Sequence, residues 1–214
     1  FTNEEVYHLY NRGVDGRNIT EEVADSLHFL DCLREFNRTD PIGSLYLLSF
    51  EKDISKKNQR KREPLVKIIA YCLNPNHFHI ILEQLVDRGV EKFIHKLCTS
   101  YAMYFNHKYN RKGSLFQGKF MAKHIYDNDY LLHTSAYVNL NDRVHQLRGK
   151  ASQLVRNSWE QYITSKVGLA QQGLVLEQFR NRTEYKEFAL DSLELMLAAK
   201  DEARDLKFSD LEFE

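Results

Sequence analysis

His77 and His79 flank Phe78 in the run from Ala70 to Glu83, whose ends are apolar and β-branched and which a turn interrupts at Asn74-Pro75-Asn76. Side chains alternate along a strand, so both imidazoles point to one side and Phe78 to the other. Two imidazoles on one side of a rigid strand are half of a divalent-metal site, although a bare His-x-His also describes two unconnected histidines. The chemistry therefore needs a further ligand and a nucleophile. The segment Thr134 to Asn141 offers both, because Tyr137 and Asn141 stand at i and i+4 of an expected helix and share its face. Asn141 brings a side-chain oxygen, and Tyr137 lies about one helical turn from any metal held there. Two histidines and one oxygen, with positions left open, suit Mg²⁺ or Mn²⁺ acting on a phosphate. A tyrosine oxygen can attack phosphorus and become covalently linked, but its ordinary pKa of about 10 means that it needs help to do so. Spacing alone does not separate this role for Tyr137 from that of a packing aromatic among twelve tyrosines.

These residues need a scaffold. Glu5 to Asn11 alternates and reads as a strand ending at Asn11-Arg12-Gly13. Thr20 is placed to cap a helix running to about Asn37, with Val23, Leu27, Leu30, Leu33 and Phe36 at helical spacing. Leu45 to Phe50 reads as a strand, 51–63 as an exposed basic hairpin loop, Leu65 to Leu73 and His77 to Leu85 as further strands. Val90 to about Tyr109 is a second helix, a short strand is expected around Phe116 to Phe120, and Asp127 or Asn128 caps a third helix to about Leu140. These strands and helices, alternating in short groups, predict an α+β fold, a ferredoxin-like antiparallel sheet with helices packed on it. Residues 1–150 form the expected main domain and 151–214 a helical, acidic C-terminal extension, with an amphipathic segment from Tyr185 to Ala199.

Composition narrows the partners. Hydrophobic content of 43% and aromatic content of 12% support a packed core. Cys32, Cys72 and Cys98 form no Cys-x-x-Cys and suggest neither a disulfide framework nor a zinc finger, which fits a reducing cytoplasm. No apolar run approaches the roughly 20 residues needed to span a bilayer, so no membrane partner is expected. The net charge is zero but unevenly distributed: residues 92–126 hold seven Lys or Arg and no Asp or Glu, whereas Glu184 to Glu214 hold ten acids against four bases. Lys56, Lys57, Arg60, Lys61 and Arg62 add a second basic cluster. Local charge decides where a polyanion binds, so a nucleic acid is a candidate partner despite the neutral sum.

Five segments then carry a resemblance: Tyr7-His-Leu-Tyr-Asn-Arg-Gly13, Tyr71-Cys-Leu-Asn-Pro-Asn-His-Phe-His79, Tyr101-Ala-Met-Tyr-Phe-Asn106, Leu115-Phe-Gln-Gly-Lys-Phe120 and Tyr137-Val-Asn-Leu-Asn141. In order and spacing they resemble the single-tyrosine HUH transposases (IS200-like), most of all the REP-associated tyrosine transposases. The resemblance covers about residues 5–165. It implies that His77 and His79 are the HUH metal ligands, Asn141 the third, polar ligand, and Tyr137 the nucleophile. It implies cleavage and rejoining of single-stranded DNA beside hairpins through a 5′-phosphotyrosine, with Mg²⁺ or Mn²⁺ as cofactor, in the bacterial cytoplasm at the nucleoid, by a monomer or a homodimer. Arg12, Lys108, Arg111, Lys112, Lys119 and Lys123 are then candidate DNA contacts, and Tyr104, Tyr109 and Phe116 candidate base-stacking rings. Two positions depart from the pattern: Asp142 follows Asn141 where the family often has Pro, and Asn74 replaces a common apolar residue before Pro75. Competing readings are a domesticated hairpin-DNA binder without mobility and a replication-initiator or relaxase-like nickase. The single candidate tyrosine and the lack of a helicase motif disfavour the latter.

Overall fold

The computed structural model describes residues 1–40 and 63–209. The expected strand Leu45 to Phe50, the basic cluster at 56–62 and nearly all of the loop around it lie outside them. Strand β1 is Val6–Arg12, helix α1 Val23–Glu35, β2 Val66–Leu73, β3 His77–Gln84, helix α2 Gly89–Lys108 and β4 Met121–Ile125. The chain continues through α3 (Asn128–Asn139), α4 (Asn141–Val144), α5 (Lys150–Leu154), β5 (Arg156–Asn157), α6 (Trp159–Ile163), α7 (Gly173–Leu176) and α8 (Arg182–Ser209).

The strands form one five-stranded sheet in the order β4-β1-β3-β2-β5, antiparallel throughout. With α1 and α2 as the two crossovers, its first four strands have the β-α-β-β-α-β connectivity expected of a ferredoxin-like fold. Alternation sorts the side chains. Leu9, Phe78, Ile80 and Leu82 face α1 and α2, where Phe29 meets Phe78 at a 5.4 Å ring separation and Leu33, Phe93, Leu97 and Tyr101 complete a dry layer. His8, Tyr10, His77 and His79 occupy the opposite face, under α3. The sheet therefore hands its apolar residues to one side and its imidazoles to the other.

Three boundaries differ from the sequence expectation. Helix α1 starts at Val23 rather than after Thr20, because the Asp25 carboxylate accepts the backbone N–H groups of Glu21 and Glu22 at 2.9 and 3.1 Å and so caps the helix itself. The N–H groups of Ile19 and Thr20 are drawn instead to the Pro75 carbonyl, at 2.7 and 3.0 Å, which anchors the turn before His77. The fourth strand runs from Met121 to Ile125, five residues beyond the expected Phe116 to Phe120. Leu115 and Phe116 are buried and Phe116 makes a lone bridge to Gly13, while Gly118 at φ +66° turns the chain before pairing begins. The true strand is an edge strand, exposed at four of five positions, and carries no hydrophobic alternation to read. Helix α3 ends at Asn139, since Leu140 leaves helical geometry at φ −114°, and Asn141 opens the next helical turn.

Candidate active site

The β2–β3 hairpin places the histidines. The turn closes with the Asn74 N–H donating to the His77 carbonyl at 2.8 Å, and β3 then pairs along its length with β1, setting Tyr10 opposite His79 and Arg12 opposite His77. The two imidazoles stand 5.3 Å apart, nearly perpendicular. Tyr137 descends from α3 with its ring 5.3 Å from that of His79 and 6.2 Å from that of His8. Asn141 is fully buried, and its Oδ1 lies 2.9 Å from His77 Nε2 while accepting the Asn74 amide at 2.7 Å. The four residues singled out by spacing, His77, His79, Tyr137 and Asn141, thus meet at one point, although Asn141 belongs to the turn after the tyrosine's helix.

The electrostatics suit a cation. Burial holds His79 down to about 2, with the neighbouring His8, His77 and His145 adding to the effect, and burial likewise lowers His77 against the pull of Asn141. Both rings are therefore neutral at pH 7, each with one nitrogen that bears a lone pair. His77 Nδ1 faces the Asn76 side-chain oxygen at 2.7 Å and Nε2 faces the Asn141 oxygen at 2.9 Å. A neutral imidazole can donate to only one of them. With Nδ1 donating to Asn76, the His77 Nε2 lone pair and the Asn141 oxygen sit side by side at the other end, where the Asn74 amide contacts both at 3.0 and 2.7 Å. His79 Nδ1 is engaged by His8 at 2.9 Å, which leaves Nε2 unengaged. Two imidazoles and an amide oxygen thus fit a divalent ion. Among the described residues no group of three or more His, Cys, Asp or Glu is arranged to hold a metal. Tyr137 is raised above the ordinary phenol range by burial, with Asn141 opposing, so it stands protonated.

A cleft of about 600 Å³ opens beside the histidines, lined by Tyr10, Arg12, His77, His79, Lys119 and His145 among others. Of the basic residues proposed from sequence, Arg12 and Lys119 reach this cleft, and Lys123 sits on β4 opposite His8. The others do not. Lys108 is bound to Glu22 and to Asp25. Arg111 donates to Asn106 at 2.9 Å and lies over Phe105, and Lys112 is exposed in the same loop. Tyr104 and Tyr109 donate their hydroxyls to Asp25 and Phe116 is buried, so these three rings serve packing. The Asp142 carboxylate accepts the Asn157 amide at 3.2 Å, which ties α4 to β5.

Sequence reading passed over His8, Tyr10, Asn74 and His145. The first two carried a signal, since His8, Tyr10 and Arg12 alternate on β1 as His77 and His79 do on β3. His145, with its ring 4.8 Å from that of His77, arrives from a helical turn whose placement no local pattern reveals. Helix α8 was also missed as a support. Asn139 donates its amide to the buried Tyr185 hydroxyl at 2.8 Å; that hydroxyl lies 3.2 Å from Ser135 Oγ, whose own proton goes to the Leu132 carbonyl at 2.7 Å. Ser135 and Asn139 bracket Tyr137 at two residues on either side, so α8 fixes the back of the tyrosine's helix. Tyr185→Phe leaves the Asn139 amide buried without that partner. The expected cost is about 1–3 kcal/mol, read as a thermal midpoint lowered by about 2–4 °C for each kcal/mol.

Among the described residues no helix is long and apolar enough to cross a membrane. Residues 50–141 match the family model described as "Transposase IS200 like", a segment that includes His77, His79, Tyr137 and Asn141. No curated protein sequence matches the chain. A solved structure described as "Structure of the REP associates tyrosine transposase bound to a REP hairpin" is similar over 76% of this chain and 81% of that one, at 14% identity and a TM-score of 0.44. Over residues 50–141, the chain is thus similar to the IS200-like transposases.

Proposed function

We propose that this chain cleaves and rejoins single-stranded DNA next to hairpins, with Tyr137 as nucleophile and His77, His79 and Asn141 as ligands of Mg²⁺ or Mn²⁺. The observation that carries the reading is the meeting of Tyr137 with His79, at a 5.3 Å ring separation, beside the His77–Asn141 contact of 2.9 Å. When bound, the metal would supply Lewis-acid polarisation of the scissile phosphate. The chain's own groups do the rest. The Tyr137 oxygen forms a bond to phosphorus and gives up its proton; the P–O3′ bond breaks, and the departing O3′ takes a proton to become a 3′-hydroxyl. A second 3′-hydroxyl attacks the 5′-phosphotyrosine, re-forms a phosphodiester and returns the proton to Tyr137. One P–O bond is exchanged for another at each step, so neither ATP nor water is consumed. Arg12 and Lys119 at the cleft hold phosphates in place. Because histidines and tyrosine of one chain face each other, the reading favours a site completed within a single copy.

Incubation with a hairpin-bearing single-stranded oligonucleotide and Mg²⁺ or Mn²⁺, followed by a denaturing gel and peptide mapping, tests this. A covalent 5′-adduct on Tyr137 that chelation with EDTA prevents is the expected result. Hairpin binding without an adduct under any divalent metal would leave a binding protein in place of a transferase.

A further inference from the structure

His8 has no part in the chemistry above, yet it is 6% exposed, stacks on His79 at 5.1 Å and places Nε2 at 2.9 Å from His79 Nδ1. We infer that His8 is a positioning residue that accepts the Nδ1 proton of His79 and thereby holds His79 in the tautomer whose Nε2 is free to bind a cation. The inference rests on the proposed metal site and deepens it. Between two neutral imidazoles only one proton occupies an N···N contact, so two assignments exist. If His8 donates, His79 Nδ1 accepts and its proton lies on Nε2, where it blocks coordination. If His79 donates from Nδ1, Nε2 presents its lone pair. Ligating histidines characteristically give their other N–H to an acceptor that fixes ring and tautomer. Here an imidazole takes the place usually filled by a carboxylate or carbonyl.

The geometry gives His8 this place for structural reasons. β1 and β3 pair with Tyr10 opposite His79, so His8, two residues earlier on the same face, reaches His79 diagonally. The Tyr10 ring, 5.5 Å from His79, closes the other side. His79 is therefore held between two β1 side chains, of which His8 alone bonds its nitrogen.

The full chain is compared as wild type, His8→Gln, His8→Phe and His77→Ala. Mn²⁺ binding is followed by electron paramagnetic resonance, and the His79 tautomer by ¹⁵N chemical shifts without metal. Wild type is expected to show His79 protonated at Nδ1. His8→Phe, which fills the space without an acceptor, is expected to lose that preference and weaken Mn²⁺ binding by about 10–100-fold. His8→Gln, whose side-chain oxygen still accepts, should stay within a few-fold of wild type. A folded His8→Phe with unchanged Mn²⁺ affinity and tautomer overturns the inference while leaving the metal site intact, provided that His77→Ala loses the ion. If His77→Ala binds Mn²⁺ as wild type does, the metal-site reading itself fails and the role of His8 falls with it.

Discussion

Tyr137→Phe is expected to abolish covalent attachment to DNA and to lower strand cleavage by at least about a thousandfold, which is about 4 kcal/mol of transition-state stabilisation. The substitution removes one oxygen and little else. The ring contacts with His79 and His8 survive, and the Tyr185, Ser135 and Asn139 bonds that hold the helix do not involve the Tyr137 hydroxyl. A fall in activity without a fall in thermal midpoint would therefore report chemistry, not folding. A second phenol stands nearby: Tyr10 lines the cleft, with its ring 5.5 Å from His79. It is fixed to strand β1 and shares the sheet face of His79, whereas Tyr137 reaches His79 from α3. Tyr10→Phe is expected to keep the adduct. Equal cleavage by wild type and Tyr137→Phe, with loss in Tyr10→Phe, would move the nucleophile to β1.

The parts of this site written in local periodicity are legible in the sequence. Strand alternation alone put His77 and His79 on one side; an i, i+4 spacing that survives the break at Leu140 made Tyr137 and Asn141 candidates, and the family resemblance paired them with the histidines. It survives because the buried Asn141 side chain is drawn to Asn74 and His77, so the contact does not depend on an unbroken helix. The class of the sheet, antiparallel with helices packed on it, was recoverable from the succession of elements. What escaped was information held in pairs distant along the chain. His8 matters only because β1 lies beside β3, and Tyr185 only because α8 folds back onto α3, 46 residues from its partner Asn139. The misplacement of β4 has a different cause. Phe116 and Phe120 look like strand residues because they are aromatic, but Phe116 is used to plug the layer between Phe78 and Tyr101, whereas the residues that do pair are exposed Met, Ala, Lys and His.

The basic residues of the stretch 92–126 do not gather at one place in the fold. Lys108 was grouped with the DNA contacts, yet α1 carries the carboxylates that claim it. Lys119 and Arg12, separated by more than a hundred residues, are the ones that share a cleft with His77 and His79. Lys108 serves the joint between α1 and α2 on the other side of the sheet.

That joint carries the largest expected effect on stability. Asp25 is fully buried and receives five donors: Lys108 Nζ at 2.6 Å and the Tyr104 hydroxyl at 3.0 Å on one oxygen, with the Tyr109 hydroxyl at 2.7 Å and the Glu21 and Glu22 amides at 2.9 and 3.1 Å on the other. Burial alone would raise its carboxyl, but the bonds from Lys108, Tyr109 and the two amides outweigh it and hold Asp25 below the usual carboxylate range. Asp25→Asn turns one accepting oxygen into a donor facing other donors and leaves Lys108 without its buried counter-charge. The expected loss is on the order of 3 kcal/mol, from breaking a buried pair on one side only. The sign with pH follows from the direction of the shift. A depressed folded pKa contributes stability that is present above the unfolded value of about 3.9 and is lost as pH falls through the folded one. Wild type should therefore lose stability steeply below about pH 4, and Asp25→Asn should lack that part of the slope. Denaturant melts of both proteins between neutral and acid pH measure the difference. A variant as stable as wild type at neutral pH, with the same acid limb, would mean that the five donors find other partners and that the joint does not depend on the charge.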